Sequence, residues 1–501
     1  MGMPHEEIRF YRMLRLLSMG NQSLLRMPVC IPKGGEDMSA DVSGASHLEP
    51  RTSGFQPVKL LEVELDRPLL AIPVYDRQAG KGYRRAQVLV CLHAQPLGLV
   101  DLEWEETGPD ETQLAERIWQ TLAPAINEHL HEDGLPEAAG LSARGLQVEA
   151  MPPCLQARAQ FLAHAPFASV IVCTRDRAEH LERCLDLLTQ LAYPHYEIIV
   201  VDNAPKTLAT ADLVARRYAH LASIRYVRED RPGLAWARNC GLEHARGEIV
   251  AYIDDDERPS PHWLTELARG FASAENVACV TGLCLPAELE TPAQVWFEQF
   301  GGLYRERGFR ELAFNLTNHR PRDPLFPYMP SKMGVGGNMA FSTAPLRTLG
   351  GFDPALGTGT MARGGEEGAA FLEVIKKGYT LIYRPAALVR HFHHRDYDGY
   401  RRQLYGYGVS VTAFLTASIM RDPRRILDLA AMFPSALRYL LSPQSPRSAK
   451  MQDYPKELNR LEMKGMLYGP LAYMRSQWHL RSIMRQFGPQ GAPGGNEGGA
   501  P

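Results

Sequence analysis

The sequence predicts an α/β protein: a mostly parallel sheet flanked by helices, with a small α/β module before it and a helical extension after it. Three observations carry that prediction. Between residues 167 and 254, short apolar runs alternate with amphipathic stretches, the β-α-β-α order of a parallel sheet covered on both faces. One run, Ile249 to Ile253, leads directly into Asp254-Asp255-Asp256. Carboxylates at the C-terminal end of a strand face the crevice where open α/β sheets bind ligands. After Gly399 the composition turns helical.

Taken in order, residues 1–55 mix Gly, Ser, Pro and charge with little period and read as a flexible segment. Residues 56–150 read as the small module. Val58 to Leu65 alternates apolar and polar residues like a half-buried strand, and Arg85 to Leu92 and Gly98 to Leu102 are two further strands. Leu114, Ile118, Leu122 and Ile126 share one face of a helix over Leu114 to Leu130. This module shows no obvious chemistry, and residues 131–165 read as a linker with a short helix. Residues 166–399 form the main domain. Its strands are Ser169 to Thr174, Tyr196 to Asp202, Ile224 to Val227 and the run ending at Asp254, with helices at Ala178 to Ala192, Ala209 to Ala219 and Leu234 to Ala245 between them. A further helix starts at Pro261-His262-Trp263, another spans Glu366 to Lys376, and Leu381 to Tyr383 is a strand. A dinucleotide-binding reading fails here, because Thr174-Arg-Asp-Arg177 stands where G-x-G-x-x-G is required. Residues 400–487 hold helices at Tyr400 to Arg421, Pro423 to Leu441 and Pro455 to Gln486, and residues 488–501 are a Gly/Pro-rich, disordered tail.

The bulk numbers exclude several classes. A 501-residue chain with 45% hydrophobic and 22% charged residues is ordinary for soluble globular protein, and a formal net charge of -2 leaves no basic footprint for nucleic acid. The eight cysteines are scattered without a C-x-x-C pair, which points to reduced, buried thiols rather than disulfides or a zinc site. Arg9, Arg12 and Arg15 interrupt the apolar residues of the N-terminus, so it does not read as a signal peptide. Val409 to Met420, the stretch that comes closest to a membrane span, is too short and carries Ser410, Thr412, Thr416 and Ser418. The expectation is a cytoplasmic protein; the Arg- and Tyr-containing C-terminal helices fit packing against the main domain better than the alternative, a peripheral seat on the inner face of the membrane.

Three adjacent anions repel one another and titrate upward unless a cation joins them. A hard divalent ion with oxygen ligands, itself holding a diphosphate, meets that need. The Asp254-Asp255-Asp256 cluster therefore points to a metal-dependent enzyme acting on a phosphorylated donor.

Four features follow one another: Ser169-Val-Ile-Val-Cys-Thr-Arg-Asp-Arg177, Ile199-Val-Val-Asp-Asn203, Asp254-Asp-Asp256 and Gly364-Gly-Glu-Glu367. Gly233-Leu-Ala-Trp-Ala-Arg-Asn239, Gly336-Gly-Asn-Met-Ala-Phe341, Gly350-Gly-Phe-Asp353 and Tyr383-Arg-Pro-Ala-Ala-Leu-Val-Arg-His391 accompany them. In this order they resemble the inverting nucleotide-sugar glycosyltransferases with the GT-A fold, family 2 type, over about residues 166–395.

The resemblance implies a nucleoside-diphosphate sugar donor, UDP-sugar by default with dTDP- and GDP-sugars open, and a carbohydrate, lipid-linked or other hydroxyl acceptor. It implies Mg2+ or Mn2+ at the D-x-D motif, on Asp256 with Asp254, the latter nearer the ribose. Thr174, Arg175, Asp202, Asp254 and Asp255 then line the donor pocket, although Asp202-Asn203 also fits a turn cap. Arg238 either meets a phosphate or makes an ordinary surface ion pair. Glu367 stands where the family has the Asp that acts as general base, beside Glu366 and before Gly368-Ala369-Ala370; the alternative is a helix N-terminal carboxylate without a catalytic role. Related enzymes place a histidine near the metal, here His391, with His393 and His394 close by. The run Gly334-Val-Gly-Gly-Asn338 and Glu366 are expected on the acceptor and sugar side, although the run equally fits a plain tight turn. The alternatives are a nucleotidyltransferase, which would carry a Gly-rich basic triphosphate loop, and a non-catalytic carbohydrate-binding or scaffold derivative.

Overall fold

The computed structural model describes residues 55–76, 80–146, 151–300, 302–303, 307–442 and 455–488. Residues 1–54 of the flexible segment expected over 1–55, and residues 489–501 of the tail expected over 488–501, lie outside the described residues.

The first elements are β1 (Lys59–Glu64), β2 (Tyr75–Asp76), β3 (Lys81–Gly82), β4 (Arg85–Leu92) and β5 (Gln95–Glu103), then α1 (Glu111–Glu132) and α2 (Pro153–Ala163). β1, β4 and β5 form a sheet in that order, with β1 parallel and β5 antiparallel to β4. Side chains of a strand alternate between faces, and β4 uses both. Val88, Val90 and Leu92 pack with Leu114, Ile118 and Ile126 of α1, while Leu89 and Cys91 join the core of the main domain. The small sheet is thus held between its own helix and the larger body. A capping box starts α1: Asp110 accepts from the Gln113 N–H at 2.8 Å, and Gln113 accepts from the Asp110 N–H at 3.1 Å.

The main sheet begins with β6 (Ala168–Thr174), α3 (Ala178–Leu188), β7 (Tyr196–Asn203), α4 (Ala209–Arg217), β8 (Ile224–Glu229), α5 (Leu234–His244) and β9 (Ile249–Asp254). Its strands are continuous apolar runs because both faces are covered, as in other parallel sheets. β10 (Glu257–Pro259), α6 (Trp263–Gly270), β11 (Val277–Pro286), α7 (Pro292–Phe300), β12 (Leu312–Phe314), β13 (Met339–Ser342), α8 (Thr343–Leu349), α9 (Glu366–Lys376) and β14 (Thr380–His391) complete it. The strand order is β10-β14-β11-β13-β9-β6-β7-β8, with β12 also on β14.

β8, β7, β6 and β9 run parallel, as expected. The second half of the sheet is mixed, because β13 lies antiparallel to β9 and β11 and β10 and β12 lie antiparallel to β14. β13 enters from the Gly336-Gly337 turn at the edge where β9 ends, with Met339 opposite Tyr252, and so has to run back across the sheet. The order reverses between β6 and β9, which makes their C-terminal ends the ligand-binding switch point of such sheets. Register places Thr174 beside Asp202, and Cys173 beside Asp254, at that edge.

Three helices follow: α10 (Tyr397–Arg421), α11 (Arg425–Leu441) and α12 (Lys456–Phe487). α10 buries Tyr400, Leu404, Val409 and Phe414, and its Arg401 pairs with Glu457 at 2.7 Å, so the basic-aromatic pattern serves packing there. α10 and α12 approach so closely that a Cβ on Gly408 would stand 2.0 Å from the Glu462 carbonyl oxygen. The Gly-rich run before α9 is clamped beneath them, with Leu356 and Ala362 packed on Ala413, Ala417 and Tyr473. Leu427 and Phe433 on α11, and Leu467 and Trp478 on α12, are exposed. Among the described residues, no helix is long and apolar enough to cross a membrane.

Candidate active site

The switch-point edge carries the side chains that the sequence singles out. Asp202, at the end of β7, is fully buried; Tyr226 donates to its Oδ2 at 3.0 Å, and Oδ1 is without a protein partner. Burial, with Asp176 nearby, raises its pKa. The turn-capping role falls instead to Asn203. Its Oδ1 accepts from the Gly233 N–H at 2.9 Å and its Nδ2 donates to the Arg231 carbonyl at 2.8 Å, tying β7 to the start of α5.

Thr174 and Asp255 are turned toward each other. Thr174 Oγ1 donates to Asp255 Oδ2 at 2.7 Å, and both side chains are buried. Arg177 then bridges Asp255 at 2.8 Å and Asp256 at 3.0 Å. Burial pushes Asp255 up to about 7 against the pull of Arg177. Thr174, Asp255 and Arg177 therefore brace the mouth of the site. Arg175, by contrast, is exposed beside it.

Asp254 stays partly exposed, with Arg238 Nη2 at 3.4 Å. Glu257 pairs in register with His391 and is buried, and its Oε2 has no protein partner. Burial, with Asp254 and Asp256 adding to it, lifts the Glu257 pKa far above the usual range. His391 Nδ1 lies 3.0 Å from His393 Nδ1, and His393 Nε2 lies 2.8 Å from Glu298 Oε1. Burial holds the His391 pKa down to about 4, which leaves a neutral imidazole at working pH. A cleft of about 490 Å3 opens beside these groups, lined by Arg177, Asp255, Asp256, Glu257 and His393 among others.

Arg238 corrects both sequence readings of it, since it is neither a surface ion pair nor free for a phosphate. It is buried on α5 and donates to Glu366 Oε1 at 3.0 Å and the Gly336 carbonyl at 3.0 Å, besides contacting Asp254. One guanidinium thus joins the end of β9, the Gly336 turn and the start of α9. Glu366, expected on the acceptor side, is buried against Arg238, and burial with Glu367 next to it raises its pKa to about 8. Glu367 is half-exposed, with its Cγ over Gly336.

Asn338 also departs from expectation. Its side chain is fully buried, accepts from Trp263 Nε1 at 2.9 Å, and donates to the carbonyls of Leu283 at 2.9 Å and Ala387 at 2.8 Å. No polar atom is left for an acceptor or sugar, and Asn338 holds the sheet together behind the site. Sequence reasoning missed Arg177, Tyr226, Glu257 and Glu298 as members of this constellation. Arg177 and Glu257 sit within or beside quoted motifs, so their position was available as a signal; Tyr226 and Glu298 join only through the fold.

Residues 169–347 match the family model for glycosyl transferase family 2. This region is a family 2 glycosyltransferase domain. The domain resembles curated relatives over parts of its length. Glycosyltransferase AglE of Haloferax volcanii is 35% identical over 103 residues, 20% of this chain and 33% of that protein. The glucosyl-dolichyl phosphate glucuronosyltransferase of the same organism is 25% identical over 279 residues, 53% of this chain and 83% of that one. The chain thus spans a third of the first relative's length and most of the second's. A solved mannosyltransferase from Pyrobaculum calidifontis, in complex with GDP-Man and Mn2+, has a TM-score of 0.39 and 20% identity, covering 66% of this chain and 89% of that one.

Proposed function

We propose that this chain is an inverting, metal-assisted glycosyltransferase. It would take a nucleoside-diphosphate sugar, with UDP-sugar as the default donor, and glycosylate a hydroxyl on a carbohydrate or lipid-linked acceptor. The observation that carries the reading is Arg238, whose contacts at 3.0 Å to Glu366 and 3.4 Å to Asp254 bring the D-x-D strand end and the Glu-Glu helix into one site.

Asp254, Asp256 and His391 are the residues that would hold Mg2+ or Mn2+: two carboxylates and a neutral imidazole, backed by the buried, unpartnered Glu257 oxygen. When bound, the cation supplies neutralisation of charge on the departing diphosphate. Asp202 offers its unpartnered oxygen to a base N–H or ribose hydroxyl, and Arg175 reaches the donor from the exposed rim. Thr174, Asp255 and Arg177 fix the loop over which the donor lies. Glu367 accepts the proton of the acceptor hydroxyl as that oxygen attacks the anomeric carbon, a single displacement that inverts the centre. Arg238 and Glu366 position Glu367 rather than touching substrate.

We further assign residues 56–150 to an accessory module, 166–399 to the catalytic domain and 400–487 to a helical extension. The exposed apolar residues of α11 and α12 favour a peripheral seat on the cytoplasmic membrane face, where a lipid-linked acceptor is reached. The test of activity is direct. Purified protein with Mn2+ and a panel of nucleotide sugars should release nucleoside diphosphate when given acceptor, and Asp256→Ala and Glu367→Gln should abolish the release. Pyrophosphate released from a nucleoside triphosphate would point to a nucleotidyltransferase instead. Silence with every donor and acceptor would favour a non-catalytic protein.

A further inference from the structure

We propose that the N-terminal module holds a structural zinc ion, bound by His93, His129, Asp133 and Cys154, which pins that module to the helix leading into the catalytic domain. The inference is independent of the transferase reading. The four residues come from separate places: the turn between β4 and β5, the last turn of α1, the position just beyond it, and the first turn of α2. Their donor atoms are two imidazole nitrogens, a carboxylate oxygen and a thiol sulfur, and all lie within 4.8 Å of one another.

The spacing is close to that of ligands around one ion, with three of the donors 3.0–3.6 Å apart and the whole set within 4.8 Å. His93 Nδ1 stands 3.0 Å from His129 Nε2 and 3.2 Å from Asp133 Oδ2, and His129 Nε2 stands 3.6 Å from Asp133 Oδ2. Tetrahedral zinc, with bonds of roughly 2.0–2.3 Å, separates its donors by roughly 3.3–3.6 Å. A plain hydrogen-bonded cluster fits these contacts less well. With one proton among His93 Nδ1, His129 Nε2 and Asp133 Oδ2, at least one contact sets lone pairs against each other, whereas a cation accepts from all three. His93 Nε2 is buried without a protein partner, so no other hydrogen bond fixes that ring's tautomer.

The surroundings are built to orient the ligands. Asp133 Oδ1 accepts from the Cys154 N–H at 3.0 Å, the kind of outer contact that aims a ligating carboxylate. Arg158, one turn further along α2, donates to the His93 carbonyl at 3.0 Å and to Glu266 of α6 at 2.8 Å. The turn itself places His93 and Ala94 in the left-handed region, with φ of 56° and 61°, where Asn-Gly is the usual choice. The donor set of two imidazoles, one thiolate and one carboxylate, buried and with four protein ligands, suits zinc in a closed structural site. Binding sends the Cys154 thiol proton to solvent.

The test uses the full chain, purified without a histidine tag. Elemental analysis should find one zinc per chain, absent from Cys154→Ser and retained by Asp256→Ala, which separates this site from the D-x-D motif. Wild-type protein stripped by chelator and titrated with Co2+ should develop the visible bands of tetrahedral cobalt together with a thiolate-to-cobalt charge-transfer band. Wild-type protein that neither carries zinc nor develops those bands would overturn the proposal, as would Cys154→Ser with full zinc and an intact charge-transfer band. If Cys154→Ser does not fold, the wild-type cobalt spectrum decides alone.

Discussion

Glu266 joins three parts of the molecule, and its removal has a calculable cost. It lies fully buried on α6 and meets Arg158 at 2.8 Å, Arg269 at 3.0 Å and Arg384 at 2.8 Å. Arg158 belongs to α2 and Arg384 to β14, so one carboxylate ties the linker helix to the catalytic sheet. Burial opposes its charge, yet the three arginines hold its pKa down to about 2, against an ordinary 4.5. That depression corresponds to about 3 kcal/mol of stability at neutral pH. Because the folded value lies below the unfolded one, this contribution is complete above pH ~5 and more than half of it is lost by pH ~3. Glu266→Gln keeps the shape and removes the charge. It should lower the unfolding midpoint at pH 7 by about 3 °C for a chain of this size, with the gap shrinking as acid is added. Thermal unfolding followed by circular dichroism between pH ~7 and ~3 measures both. Equal midpoints at pH 7, or a gap undiminished at pH 3, would refute the reasoning.

Other consequences are as specific. Asn338→Ala should cost roughly 3 kcal/mol, about one for each of its three hydrogen bonds, while leaving KM for donor and acceptor unchanged in the folded protein. Urea unfolding alongside steady-state kinetics checks this, and a raised KM at normal stability would return Asn338 to the acceptor side. Arg238→Met should cut kcat about a hundredfold by releasing Asp254 and Glu366 from their shared anchor, with single-turnover kinetics as the readout. Leu467→Glu combined with Trp478→Glu should abolish co-sedimentation with anionic lipid vesicles at unchanged turnover on a soluble acceptor. Unchanged sedimentation would remove the peripheral-membrane proposal.

Much of the catalytic half is legible because parallel strands bring their C-terminal ends to one edge. Once Ile198 to Val201 and Val250 to Ile253 read as buried strands, Thr174, Asp202 and Asp254 have to gather at that edge. Side-chain fate is not legible in the same way. Asn338 sits in a Gly-rich run that invites a ligand role, but its partners Trp263, Leu283 and Ala387 come from distant segments. Helical periodicity gives Arg238 a place on α5 and says nothing about Glu366, whose chain position is far away. The antiparallel course of β13 depends on where the Gly336-Gly337 turn enters the sheet. The His93, His129, Asp133 and Cys154 cluster shows the limit most clearly. Cysteine spacing argued against zinc because local motifs were the only signal, whereas these donors converge from separate elements.

The central claim, that one site holds donor on its D-x-D side and a general base on α9, is tested most directly by measuring donor affinity and transfer in the same variants. Isothermal titration with nucleotide sugar and Mn2+, paired with product release, should show Glu367→Gln binding donor like the wild type while losing transfer by about 10²–10⁴-fold. Asp256→Ala should lose donor affinity and transfer together. Glu367→Gln that transfers sugar at the wild-type rate would contradict the account.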